Sequence, residues 1–121
     1  MSYENAIHQT YTLPATTITA TATLLSVIGP AGKQGRLVSI GAVVTTNVTV
    51  AAAGLSVGIV GTLGKFGTLS VPISSAGAGV NGAVIADTDL NPVPADTEIL
   101  ISSDAAATAG AADITVTIAW F

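Results

Sequence analysis

No cysteine occurs in the chain, so a disulfide framework and a thiolate metal site are both excluded. That is the usage expected of a protein that folds in a reducing cytoplasm. Charge is nearly as scarce. Lys, Arg, Asp and Glu together make up 8% of the residues, against about 25% in an ordinary soluble domain. Lys33, Arg36 and Lys65 are the only basic residues, and the formal net charge is −4. Gripping phosphates needs clustered cations that release counterions, so nucleic acid is not an expected partner. Anionic membrane surfaces are unfavourable for the same reason. Aromatic residues are few, at 4%.

A long clean apolar run is also missing. From Leu37 to Gly64 no residue is charged, but Thr45, Thr46, Asn47 and Thr49 interrupt it. The clean part, VAAAGLSVGIVG from Val50 to Gly61, is shorter than the roughly 20 residues a spanning helix needs, and holds three glycines. Gly54 and Gly58 match GxxxG, which says little in so glycine-rich a chain. The first residues, MSYENAIHQT, lack the basic and apolar regions of a secretory signal, and Ser2 stands where myristoylation needs glycine. No membrane partner is expected.

Half of the residues are hydrophobic, dominated by Ala and Val, with Thr and Gly abundant. The 121 residues suffice for one domain with a core of its own. Too few charges are present to dress its surface, and large apolar patches mark contact surfaces. Other subunits are therefore expected to cover part of it. Small core residues bury less area each, which also favours a fold stabilised by oligomerisation.

Alternation and β-branched residues recur along the chain, punctuated by Gly, Pro, Asn and Asp. Residues 1–14 read as an N-terminal arm, and 15–121 as a single domain. Strands are predicted over Thr16–Ile28, Arg36–Val44, Asn47–Ala51, Leu55–Gly61, Gly67–Ile73, Gly82–Ala86, Thr97–Ser103 and Asp113–Phe121. TLGKF reads as a hairpin connection, and DAAATAGAA as a loop in which Asp104 can cap a turn. The class is all-β: a small antiparallel β-sandwich of about seven or eight strands, with a jelly roll as one arrangement.

Candidate chemistry is thin. His8 is the only histidine, and it has no nucleophile and orienting partner in a recognisable pattern. The chain is not expected to be an enzyme. Five of the seven carboxylates lie between Asp87 and Asp104. Asp87, Asp89, Asn91 and Glu98 match ligand positions 1, 3, 5 and 12 of a calcium loop. Pro92 stands where that loop needs glycine, and its fixed negative φ forbids the turn. A solvated acidic loop is the expected reading, with no metal and no cofactor. Asp96 and Glu98 have a spacing imaginable for a glycosidase pair, but no aromatic platform is near in sequence. Asn47-Val48-Thr49 is a glycosylation sequon without a secretory signal. Lys33 and Arg36 read as turn charges. Trp120 and Phe121 either finish the core of the last strand or dock on a neighbour.

TTITATATLL sets Thr17, Thr19, Thr21 and Thr23 in one row of an extended strand. Ice-binding solenoids repeat such a row on stacked coils, and here it occurs once, echoed by Thr115 and Thr117. Read as one strand, the row continues into Leu25 and Val27, which suits a subunit contact rather than water.

The arm MSYENAIHQTYTLP, small-residue strands such as RLVSIGAVV and LSVGIVG, and the C-terminal NPVPADTEILISSDAAATAGAADITVTIAWF extend across most of the chain. In these features it resembles a bacteriophage capsid decoration, or cement, protein. The resemblance implies a non-catalytic homo-oligomer, a trimer in many such proteins. It would be made in the bacterial cytoplasm and bind the major capsid protein on the outside of the shell. A head-fibre or tail component is a related role. A β-sandwich carbohydrate-binding module, calcium-dependent through Asp87 and Asp89, is the alternative. Tyr3, His8, Tyr11, Thr21, Thr23, Leu25, Trp120 and Phe121 are the expected interface residues. Removing residues 2–12 is expected to abolish capsid binding and leave the oligomer folded.

Overall fold

The computed structural model describes residues 7–73, 76–84 and 92–121. Among them are nine strands and no helix. They are β1 (Ile7–Thr17), β2 (Ala22–Val27), β3 (Gly35–Thr49), β4 (Ala53–Ile59), β5 (Thr62–Val71), β6 (Gly79–Asn81), β7 (Ala83–Val84), β8 (Ile99–Ser103) and β9 (Ala109–Trp120). Two antiparallel sheets result, ordered β1-β9-β3-β6 and β2-β8-β4-β5-β7.

The order has a simple origin. β4 and β5 form a hairpin around Val60 and Gly61, and the chain on either side pairs in nested fashion: β3 with β6, β2 with β8, β1 with β9. One long hairpin has been rolled so that successive pairs fall in alternate sheets. Additional pairing of β9 with β3 and of β8 with β4 closes each layer. This is the jelly-roll order, with the two-residue β7 added beside β5.

Alternation decides which face of each strand is buried. Along β9, Ala112, Ile114, Val116, Ile118 and Trp120 point into the sandwich, while Asp113, Thr115 and Thr117 point outward. From β3, Leu37, Ile40, Ala42, Val44 and Val48 join them, and from the other sheet come Leu55, Val57, Leu69, Ile99 and Ile101. β3 is one strand of 15 residues where the sequence suggested two, because irregularities between Leu37 and Ser39 and between Val44 and Thr49 absorb the breaks in alternation.

Three other expectations are corrected. Residues 7–14, read as part of an arm, are in β1, paired with β9 from Ile7↔Trp120 to Leu13↔Ile114. Tyr11 and Leu13 pack against the core, which is what holds the strand down. Thr16–Ile28 is not one strand: β1 ends at Thr17, Ile18 is buried, and the chain crosses to the second sheet before β2 starts at Ala22. Finally, β2 bulges between Thr23 and Leu25. Thr23 pairs with Ser102 but Leu25 with Ile101, so the bulge turns Leu25 and Val27 to the face opposite Thr23. The threonine row therefore does not run on into apolar residues, and Leu25 packs inward against the core.

Trp120 is core, only 1% exposed. Phe121 is half-buried and its backbone exchanges two 2.9 Å hydrogen bonds with Gln34. Val50, in the β3–β4 turn, has φ of 76°. A β-branched residue in this left-handed region costs about 1–3 kcal/mol.

Candidate functional site

Two outward surfaces gather the polar side chains. The first is the outer face of the β1-β9-β3-β6 sheet, where strand register sets side chains in cross-strand rows. His8, Ala119 and Arg36 form one row, Thr10, Thr117 and Ser39 the next, and Thr12, Thr115 and Gly41 the third. Thr10 and Thr117 share a 3.1 Å hydroxyl–hydroxyl hydrogen bond. Beyond them Asp113 Oδ1 accepts from Ala15 N at 2.6 Å, which fixes the bulge where Ala15 takes a positive φ. Gly41 carries no side chain, and a shallow depression of about 350 Å³ opens between it, Val43, Gly79, Asp113 and Thr115. The middle of this face is an uncharged hydroxyl grid.

The sequence held both halves of the grid as T-Y-T at 10–12 and T-V-T at 115–117. Only Thr115 and Thr117 attract notice as a motif, because the more conspicuous T-x-T run lies elsewhere. What brings the halves together is a pairing across 107 residues, which no local pattern reports.

The second surface is the outer face of β2, β8, β4 and β5. A groove of about 390 Å³ is lined by Thr21, Ser56, Thr68, Ser70, Leu63 and Asp104. It adjoins a smaller one of about 210 Å³ beside Thr21, Thr23 and Ser102. Thr21 and Thr23, expected at a contact, are thus exposed and line hydroxyl-rich grooves. Leu63 reaches this face because residues 63–66 of β5 stand against the single residue Gly58 of β4. Gly58 permits it: a Cβ there would lie 2.3 Å from the backbone oxygens of Thr62 and Leu63. Asp104 Oδ1 accepts from Ala106 N, as the capping expectation had it, and also from Gly54 N, each at 3.1 Å.

Ser102 is 3% exposed and its Oγ has no hydrogen-bond partner among the described residues. If nothing occupies the groove beside it, Ser102→Ala removes an orphaned hydroxyl and should leave stability unchanged or raise it by about 1 kcal/mol in urea unfolding. A loss of that size instead would mean that the hydroxyl is held by a bound molecule.

The remaining expected site residues are scattered. Tyr11 turns toward the core, its hydroxyl donating to Gln9 Oε1 at 2.6 Å, while His8 is exposed. Tyr3, Asp87, Asp89 and Asn91 lie outside the described residues. Glu98 Oε1 accepts from Ser26 Oγ at 2.6 Å, and Asp96 Oδ1 from Gly32 N at 3.2 Å in a turn before β8 begins. Among the described residues no group of three or more His, Asp or Glu side chains is placed to hold a metal ion. Asn47 Oδ1 accepts from Ala76 N at 2.9 Å and so ties the β5–β6 connection to β3.

Comparisons with protein-family models, with curated proteins and with solved structures find no match to the chain.

Proposed function

We propose that the chain is a structural virion protein that binds the outside of an assembled phage capsid as a homo-oligomer, a trimer in this reading, and stabilises the shell. The observation that supports it is the hydroxyl grid on the outer face of the β1-β9-β3-β6 sheet. It is uncharged at its centre and carried on a jelly roll, an architecture recurrent in viral capsid domains. A surface of this kind contributes hydrogen bonds and shape and little charge attraction, so single contacts are weak. Repetition on a symmetric lattice multiplies them. A protein that binds only the expanded shell shifts the equilibrium against shell opening by mass action.

The test is co-sedimentation with expanded and unexpanded heads of the phage that encodes the chain. The protein should pellet with expanded heads and raise their rupture temperature. Thr12→Asp, on the exposed grid, should abolish occupancy while the far-UV circular dichroism stays unchanged. Protein that stays in the supernatant with expanded heads would remove the reading.

One observation favours a second reading, a carbohydrate-binding module. The groove of Thr21, Ser56, Thr68, Ser70 and Asp104 offers several hydroxyls and one carboxylate in a sugar-sized space. No aromatic platform lines it. Calorimetry against a glycan panel, with and without calcium, separates the two.

A further inference from the structure

In a rolled hairpin, successive connections alternate between the two ends of the sandwich. Four of them meet at one end, with described residues 18–21, 50–52, 72–73 with 76–78, and 104–108. Hydrogen bonds tie three of them to the strands beside them. Thr108 N donates to Thr49 O, Ile18 N to Gly110 O, Ser103 Oγ to Ala20 O, and Gly77 N to Val44 O.

Its composition is one-sided. Among its described residues the only charged side chain is Asp104, and that carboxylate is turned back onto Gly54 N and Ala106 N of its own chain. Val50 projects from it at 78% exposure and Ile73 at 52%, among the exposed Ala20, Ala52, Ala76 and Ala105. Lys33, Arg36 and Lys65, the only cations of the chain, all lie toward the opposite end, with Asp96 and Glu98. Val60, equally exposed at 77%, lies at that end, in the turn between β4 and β5. Among the described residues the charges are polarised along the length. The cations, Asp96 and Glu98 gather at one end, Asp113 lies on the sheet between, and the other end carries no ion but Asp104. Exposed apolar side chains occur at both ends, Ile28 and Val60 with the ions and Val50 and Ile73 away from them.

Val50 sharpens the point. An exposed turn could relieve its left-handed backbone simply by carrying glycine or asparagine. The strained valine stands where its side chain is mostly exposed and touches little of its own chain, which fits a side chain that serves a contact outside it.

We propose that this apolar end is where one copy of the chain meets another. Charge argues for a second copy over other occupants. A surface without free ions is complementary to itself, whereas a charged partner would have its own ions stripped of water and left unpaired. A bilayer is the poorer fit, because this end presents no cation and no interfacial aromatic among its described residues. The inference takes only the homo-oligomer from the proposed function.

The test is sedimentation velocity of the full chain, without capsids, from about 1 µM to about 200 µM. Wild-type protein should sediment as an oligomer that dissociates on dilution. Val50→Gly should raise the melting temperature of the dissociated chain by about 3 °C by relieving strain, and weaken association about tenfold or more. Val50→Asp combined with Ile73→Asp should give a folded monomer. Val60→Asp, at the charged end, should leave the mass unchanged. Wild-type protein that is monomeric throughout would overturn the inference. So would association that survives the double substitution, or that Val60→Asp weakens equally. An oligomer that ignores capsids retains this inference and removes the virion reading; a capsid-binding monomer does the reverse.

Discussion

Replacing Gly35 with alanine should destabilise the chain by about 3 kcal/mol, lowering its melting temperature by roughly 10 °C. A Cβ at Gly35 would lie 2.6 Å from Trp120 Cζ3 and 2.9 Å from Cε3. Gly29 presses on the same six-membered ring, where a Cβ would lie 2.4 Å from two of its carbons. Neither glycine has a positive φ, so space and not backbone freedom fixes both residues. The indole is buried and cannot retreat without displacing the core of both sheets. Gly29→Ala should therefore cost at least as much. A double-mutant cycle identifies the cause: in a Trp120→Leu background the cost of Gly35→Ala should shrink by about 2 kcal/mol. Additive losses would show that the clash with the ring is not the reason. Trp120→Phe should be milder than Trp120→Ala, which costs about 3–5 kcal/mol. Trp120 Nε1 is buried with no hydrogen-bond partner among the described residues, and phenylalanine removes that unmet donor.

Deleting residues 2–12 should unfold the protein rather than merely detach it from a partner. The deletion removes the β1 residues from Ile7 to Thr12 and uncovers the edge of β9 from Thr115 to Trp120. At about 1 kcal/mol for each lost hydrogen bond, and more for Ile118 and Trp120 newly exposed to water, the loss approaches the 5–15 kcal/mol that holds a domain together. Near-UV circular dichroism from the tryptophan should disappear and the truncated protein should aggregate through the bare edge. A truncated protein with native near-UV signal would restore the arm that the sequence suggested. His8→Ala is the gentler probe of the same strand, since His8 is exposed.

What the sequence disclosed follows the range of each interaction. Alternation along β9 is local, so the all-β class and most strands were legible, but the hairpin connection read at TLGKF is displaced: Thr62–Phe66 belong to β5, and the chain turns at Val60 and Gly61. The two sheets and their order were open only as one arrangement among sandwiches, because β1 and β9 meet across almost the whole chain. The arm failed as a reading because Pro14 looks like a boundary, whereas a bulge between Leu13 and Thr16 lets the strand continue past it. The threonine row failed for a similar reason. A strict period of two was carried through Leu24, where the bulge inserts an extra residue and exchanges the faces. The hydroxyl grid had its pieces in plain view, but its assembly depends on register, which is a property of the fold. The fit of Gly29 and Gly35 to Trp120 had no signal in a chain with 13 glycines.

The nested pairing also sets a timetable. β9 is synthesised after both of the strands it lies between, β1 and β3, so their sheet cannot close until Ala109–Trp120 has left the ribosome. Until then the apolar faces of β1 and β3 wait without their central strand, exposed to whatever else is in the cell. Topologies dominated by such distant contacts fold in about milliseconds to seconds, far slower than helical domains of the same size. Scarce charge gives the waiting chain little electrostatic protection against its own copies. The steepest risk to this protein thus falls in the interval before folding, and co-expressed chaperones should raise its soluble yield more than they raise its melting temperature.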